Sequence, residues 1–89
     1  MTDAEIRALI LQSISEIAPE ADFAGAHDAD DIREAFDLDS MDFVNLVAAI
    51  HKRTKINIPE TDYSQLYTLM GAVVYLKDAL ARLGSGPIN

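Results

Sequence analysis

Ser40 is the residue of this chain best placed to do chemistry, because two aspartates flank it where an acidic stretch changes into an apolar one. The local sequence is Asp37-Leu38-Asp39-Ser40-Met41-Asp42. Aspartate is a preferred helix N-cap, so Asp39 is predicted to cap a helix whose first residue is Ser40. The Ser40 hydroxyl would then face solvent, and a phosphate ester on it would lie at the positive end of the helix dipole. The pattern therefore predicts an attachment site.

A hydrolytic role for Ser40 is not favoured. A serine nucleophile needs a base within hydrogen-bonding reach, about 3 Å. His51 lies about 16 Å away along the same predicted helix, at about 1.5 Å per residue. His27 lies in an irregular segment and could approach, but the chain has no Gly-x-Ser-x-Gly turn. We expect another protein to activate the hydroxyl, and we predict that this chain is not an enzyme.

The acidic run Asp28-Ala29-Asp30-Asp31 raises the question of a calcium site. A calcium loop of the EF-hand type needs glycine at its sixth position and glutamate at its twelfth. Arg33 and Asp39 occupy those positions here. The chain also has no cysteine, which excludes disulfides and thiolate ligands. We therefore predict no metal site.

Helices are predicted on both sides of Ser40. Thr2-Asp3-Ala4-Glu5 has the form of a capping box, and apolar residues follow it at helical spacing until Pro19. A long connection then covers residues 19–39 and is held to the core by Ile32, Phe36 and Leu38. A second long helix is predicted from Ser40 to about Thr54. Its apolar stripe comprises Met41, Val44, Val47 and Ala48, which Leu46 and Ile50 can extend.

The remaining segment is predicted to be mostly helical as well. Residues 55–59 alternate like a strand but have no partner strand, so an extended linker is favoured. A short helix follows from Asp62 to Leu66. Thr68 is predicted to cap a last helix whose apolar face comprises Leu69, Ala72, Val73, Leu76 and Leu80. The fold class is all-α: a small four-helix bundle with three longer helices, a short third helix and a long first loop. It covers residues 1–83, and residues 84–89 form a flexible tail.

Composition and charge limit the partners. With 89 residues, 49% of them hydrophobic and 25% charged, the chain is predicted to form one globular domain. No apolar run approaches the roughly 20 residues that span a bilayer, and the acidic start is unlike a signal peptide, which predicts a cytoplasmic protein without membrane insertion. Residues 1–42 hold twelve carboxylates against Arg7 and Arg33, whereas residues 43–89 hold three against five cations. The net charge of -8 argues against nucleic acid and favours basic protein surfaces.

The residues around Ser40 resemble the acyl carrier protein family. Leu38-Asp39-Ser40-Met41-Asp42 is similar to the family's Asp-Ser-Leu motif, with Met41 in place of the leucine. Leu46-Val47 and Ile56-Asn57-Ile58-Pro59-Glu60 continue the resemblance, and residues 38–76 follow the family pattern without a gap. The resemblance implies the same helical arrangement. It also implies 4′-phosphopantetheine on Ser40, transferred from coenzyme A by a phosphopantetheinyl transferase.

The resemblance further implies a monomeric carrier for lipid or secondary-metabolite synthesis. Such a carrier holds an acyl group as a thioester on the arm and presents it to acyl-loading and acyl-accepting enzymes. The implied recognition surface comprises Asp39, Met41, Asp42, Asn45, His51, Lys52 and Arg53. An aminoacyl or peptidyl carrier is the nearest alternative, and an unmodified acidic helical adaptor is a second.

Departures from the family pattern favour a specialised carrier over that of ordinary fatty-acid biosynthesis. Carriers of the ordinary pathway usually have a glycine shortly before the Asp-Ser pair and an acidic second half of the following helix. This chain has Ala35-Phe36-Asp37-Leu38 before the pair, and it has Asn45 and the basic run His51-Lys52-Arg53 within the helix. Cations in the last turn of a helix also complement its dipole regardless of function, so the basic run has two interpretations, partner recognition and helix stabilisation.

Overall fold

The bundle is built from three long helices and two short ones. The computed structural model describes residues 1–84. Its elements in chain order are α1 (Asp3–Ile17), α2 (Ile32–Ala35), α3 (Ser40–Thr54), a 3₁₀ helix (Glu60–Leu66) and α4 (Leu69–Gly84). Helix α1 packs against both α3 and α4, and the 3₁₀ helix packs against α4. The predicted all-α bundle is confirmed, and α2 is an addition to it.

Helix α1 begins as its sequence predicts. The Thr2 hydroxyl accepts a hydrogen bond from the Glu5 amide at 3.1 Å, and the Glu5 carboxylate accepts one from the Thr2 amide at 2.7 Å. The bond from the Thr2 amide is the main cause that lowers the pKa of the Glu5 carboxyl. The apolar face of the helix is buried through Ile6, Ile10 and Ile14. This face is the one that packs against α3 and α4.

The predicted apolar stripe of α3 is partly confirmed: Leu46, Val47 and Ile50 are buried, but its other members are not. The buried residues are Phe43, Leu46, Val47 and Ile50, whereas Met41 is 67% exposed and Val44 45% exposed. Ala48 is exposed as well. Both stripes follow helical spacing, so periodicity alone does not choose between them. The stripe with the larger side chains removes more apolar area from water, and that stripe faces the core.

The long connection before α3 is held to the core as predicted. Ile32, Phe36 and Leu38 are all buried. The ring of Phe36 also packs against that of Phe23 in an edge-to-face contact, with centroids 5.1 Å apart. The connection contains the short helix α2, whose N-cap Asp31 accepts a hydrogen bond from the Arg33 amide at 2.9 Å. These contacts fix the path of the chain into Ser40.

The second half of the connection is bonded to the start of α4. The Ile32 amide donates to the Tyr67 carbonyl at 2.8 Å, and the Met70 amide donates to the Asp28 carbonyl at 2.9 Å. Two of the three carboxylates of the acidic run have separate cationic partners, Arg7 for Asp28 and Arg33 for Asp31, and that of Asp30 accepts a hydrogen bond from the His27 amide at 3.0 Å. Within residues 1–84, no group of three His, Asp or Glu side chains is arranged to hold a metal ion.

The segment after α3 follows the prediction closely. Residues 55–59 form neither helix nor strand, and Lys55 closes α3 with a left-handed φ of 63° before the chain becomes extended at Pro59. The 3₁₀ helix replaces the predicted short helix and starts two residues earlier. The Thr68 hydroxyl accepts a hydrogen bond from the Gly71 amide at 3.0 Å, which confirms its capping role.

The predicted flexible tail, residues 84–89, lies almost wholly outside the described part of the chain. Gly84, assigned to the tail, is the last residue of α4, and residues 85–89 lie outside the described part of the chain. The helices of that described part are all too short or too polar to cross a bilayer.

Candidate functional site

The first turn of α3 is fixed by a reciprocal pair of hydrogen bonds. Asp39 Oδ1 accepts from the Asp42 amide at 2.8 Å, and Asp42 Oδ2 accepts from the Asp39 amide at 3.3 Å. The prediction that Asp39 is the cap is confirmed. The contribution of Asp42 was missed, although its position three residues after the cap is that of the second member of a capping box.

Ser40 is the first residue of α3, and its side chain is exposed. The first helical hydrogen bond runs from the Phe43 amide to the Asp39 carbonyl at 3.0 Å. The amides of Ser40 and Met41 precede that bond and form the positive end of the helix. A phosphate ester on the Ser40 oxygen fits this environment, because it would be open to solvent beside those amides.

Buried residues on both sides of Ser40 hold it in place. Leu38 is buried, and its amide donates to the Arg33 carbonyl at 2.8 Å. Phe43, one turn after Ser40, packs edge-to-face against Tyr63 and Tyr67, with ring centroids at 5.6 and 5.3 Å. The exposed serine therefore stands between two anchors in the core.

The predicted recognition residues fall into two groups. Asp39, Met41, Asp42 and Asn45 lie in the first turns of α3 beside Ser40, and all except the half-buried Asp42 are exposed. His51, Lys52 and Arg53 lie in the last turn of α3. The rise of a helix places them about 16 to 20 Å from Ser40. The first group adjoins the serine, and the second does not.

Arg53 is engaged within the bundle. Its guanidinium donates to both carboxylate oxygens of Glu16, and Nη1 also donates to the Ser13 hydroxyl at 3.3 Å. Ser13 is fully buried, and its hydroxyl donates to the Leu9 carbonyl at 2.8 Å. The hydrogen bond from Arg53 lowers the pKa of the Glu16 carboxyl and raises that of the guanidinium. Arg53 therefore joins α3 to α1.

Arg53→Ala is expected to lower the melting temperature at neutral pH by a few degrees at most, because exposed ion pairs contribute little. The lowered pKa of Glu16 means that the pair stabilises the fold above the usual glutamate value of 4.5 and that this contribution is lost as the pH falls. The difference from wild type should therefore shrink in thermal melts at pH 3. Lys52→Ala removes an exposed charge next to Arg53 and is the matched control. An equal loss at both pH values would contradict the assigned pairing.

A groove of about 510 Å³ runs beside the outer face of α3. Its walls come from Val44, Val47, Ala48 and His51 of α3 and from Asn57, Ile58, Pro59 and Tyr63 beyond it. The groove begins at Val44, four residues after Ser40. The groove was not predicted from the sequence, because its shape depends on how the linker after α3 folds back against the helix. The His51 ring lies at its far end, with Nδ1 2.9 Å from the Ile56 carbonyl oxygen.

Asp39→Ala is expected to lower the free energy of unfolding by about 0.5 to 2 kcal/mol, because it removes the N-cap of α3. Urea denaturation of the variant and the wild type measures this loss. Asp37→Ala is the control, since Asp37 is a neighbouring exposed carboxylate outside the capping box, although its left-handed φ of 54° adds a backbone term of its own. If Asp39→Ala were as stable as the wild type, the cap would contribute nothing to the free energy of unfolding.

The fold is a small helical bundle with an exposed serine at the capped start of α3. The family model for the phosphopantetheine attachment site matches residues 5–76, which is most of the chain. The chain therefore belongs to the phosphopantetheine attachment-site family, consistent with an acyl carrier protein, and 4′-phosphopantetheine is its prosthetic group. Domains of this family are generally non-catalytic carriers that interact with phosphopantetheinyl transferases and partner enzymes.

Proposed function

We propose that Ser40 carries 4′-phosphopantetheine and that this chain delivers an acyl group, held as a thioester on that arm, to enzymes of lipid or secondary-metabolite synthesis. The position of Ser40 carries the proposal. It is the exposed first residue of a capped long helix, whereas Ser13 is buried, Ser15 lies within α1 and Ser64 lies within the 3₁₀ helix. Family membership speaks against the unmodified adaptor.

The residues around Ser40 support attachment by position and charge. Ser40 would supply the ester oxygen, and the positive end of α3 would stabilise the phosphate group. Asp39 and Asp42 hold the first turn in place through their mutual cap. The prosthetic group itself supplies the thiol on which cargo is carried. The His51 ring is too distant along α3 to activate the hydroxyl, so we assign that step to the transferase.

The recognition surface that we propose is the group next to Ser40. Met41 presents an exposed apolar side chain beside Asp39, Asp42 and Asn45, so a partner with an apolar recess surrounded by basic residues would complement it. We also propose that His51 and Lys52 help to select the pathway. Arg53 is the least available residue of the basic run for a partner, because it is paired with Glu16. We further propose that the protein is a specialised carrier that acts as a monomer in the cytoplasm.

Peptide mapping tests the attachment. We expect the protein, incubated with coenzyme A and a broad-specificity transferase, to gain the mass of one phosphopantetheinyl group. Cleavage after Lys and Arg places Ser40 alone in residues 34–52, Ser13 and Ser15 in residues 8–33, and Ser64 in residues 56–77. The added mass should appear in residues 34–52. An addition on either of the other peptides, or none at all, would contradict the proposal.

A further inference from the structure

Three aromatic side chains, the buried Phe43 and the partly buried Tyr63 and Tyr67, pack together beside the groove on α3. Phe43 is 4% exposed, and its ring meets those of Tyr63 and Tyr67 edge-to-face. Tyr63 also lines the groove, whereas Phe43 does not. Phe43 therefore lies behind Tyr63, between the groove and the core. The cluster of Phe43, Tyr63 and Tyr67 separates the two at the end of α3 that carries Ser40.

The far side of the cluster is held by the long connection. The Arg33 guanidinium lies 3.5 Å from the centroid of the Tyr67 ring, a cation–π geometry. Asp31 fixes the guanidinium by accepting from Nε at 3.1 Å and from Nη2 at 2.7 Å. The Tyr67 carbonyl accepts the Ile32 amide as well. The Tyr67 ring is thus confined between the connection and Phe43, so the cluster resists opening.

We propose that this cluster is a plug that keeps the cargo outside the helical bundle and that Phe43 is its specificity-determining residue. The inference rests on the proposed attachment at Ser40. An alkyl chain that cannot enter the core forgoes the free energy of being fully buried there for each of its methylene groups, and only the open groove beside α3 is left to cover part of it. A carrier with a closed core is therefore suited to short or polar acyl groups, which need no shelter from water.

Cargo-dependent melting tests the plug. The transferase would load wild type and Phe43→Ala with acetyl-phosphopantetheine or octanoyl-phosphopantetheine, and each loaded form would be melted. An attached acyl group that packs only against the folded protein raises the melting temperature of that protein. We expect the two wild-type forms to melt together. Phe43→Ala should melt lower, and its octanoyl form should melt several degrees above its acetyl form, because an apolar cavity accepts an apolar chain.

Two results would overturn the plug. One is a wild-type octanoyl form that melts several degrees above the acetyl form, and the other is a Phe43→Ala variant without cargo dependence. Phe36→Ala is the matched control, since Phe36 is an equally buried aromatic of the long connection. It should lower the melting temperature equally for both cargoes. If Phe43→Ala does not fold, Phe43→Val replaces it in the same test, because valine leaves a smaller cavity.

A transferase-independent version separates the plug from the proposed attachment. If the mass of the wild type does not change, the attachment proposal fails, but the plug is still testable. Ser40→Cys introduces the only cysteine of the chain. Alkylation of that cysteine with iodoacetamide or with N-octyl iodoacetamide supplies a short or a long substituent at the same position. The melting temperatures of the short and the long forms are then compared with and without Phe43→Ala. A difference only in the Phe43→Ala background supports the plug, and any other result overturns it.

Discussion

Ser40→Ala is expected to take up no phosphopantetheine while it keeps the stability of the wild type. The substitution removes only the oxygen that would form the ester. Ser40 is exposed, and the cap of α3 is formed by its neighbours Asp39 and Asp42. Alanine is also a strong helix former, so the first turn should persist. Intact mass after incubation with coenzyme A and the transferase measures uptake, and a thermal melt measures stability.

Ser64→Ala is the matched control for this result. Ser64 is an exposed serine in the 3₁₀ helix, without the flanking carboxylates of Ser40. This variant should be modified to the same extent as the wild type. Uptake by Ser40→Ala would exclude Ser40 as the attachment site. A large drop in its melting temperature would show that the hydroxyl is needed for the fold, in conflict with its exposed position.

Gly71→Ala is expected to lower the free energy of unfolding by about 1 to 3 kcal/mol, the usual range for overpacking. Helix propensity alone predicts the opposite, a gain of roughly 1 kcal/mol. An alanine Cβ at this position would lie 2.5 Å from the Gln65 carbonyl oxygen and 2.9 Å from the Thr68 hydroxyl. The first of these atoms belongs to the backbone, so the 3₁₀ helix and the start of α4 must separate. Each kcal/mol lost should lower the melting temperature by roughly 4 to 8 °C.

Gly25→Ala provides a comparison in which space is not the constraint. No atom lies within 4 Å of the position that its Cβ would take, and the backbone φ is +88°. Any loss of stability there reports the cost of the left-handed conformation alone. Stabilisation by Gly71→Ala would show that the 3₁₀ helix moves aside without cost, and the close approach would then have no energetic importance.

Features that depend on near neighbours in the chain were predicted well. Thr2 caps α1 through Glu5, Asp39 caps α3, and Thr68 caps α4 through Gly71. In each case the bonded groups lie three residues apart, so their types and spacing alone predict the contact. The helix starts followed from these caps, and the start of α3 placed Ser40 at its exposed end.

Features that depend on distant partners were not predicted. Phe43 was left out of the predicted stripe of α3, and its ring packs against those of Tyr63 and Tyr67, which lie about 20 residues away in the sequence. The bond between Arg53 and Glu16 spans 37 residues, so Arg53 could not be distinguished from a free surface cation. Helix α2 has four residues, too few to show a periodic pattern. The groove beside α3 likewise depends on a tertiary contact.

The bonding of the long connection indicates where this chain tolerates a change in length. Residues 19–26 have local backbone bonds, such as that from the Ala26 amide to the Phe23 carbonyl. From Asp28 onward the backbone is bonded to Tyr67 and Met70, more than 30 residues away. An inserted residue in the first half lengthens a turn, at a small entropic cost. An inserted residue between Asp28 and Ile32 puts the two long-range bonds out of register with each other and so changes the path of the chain into Ser40.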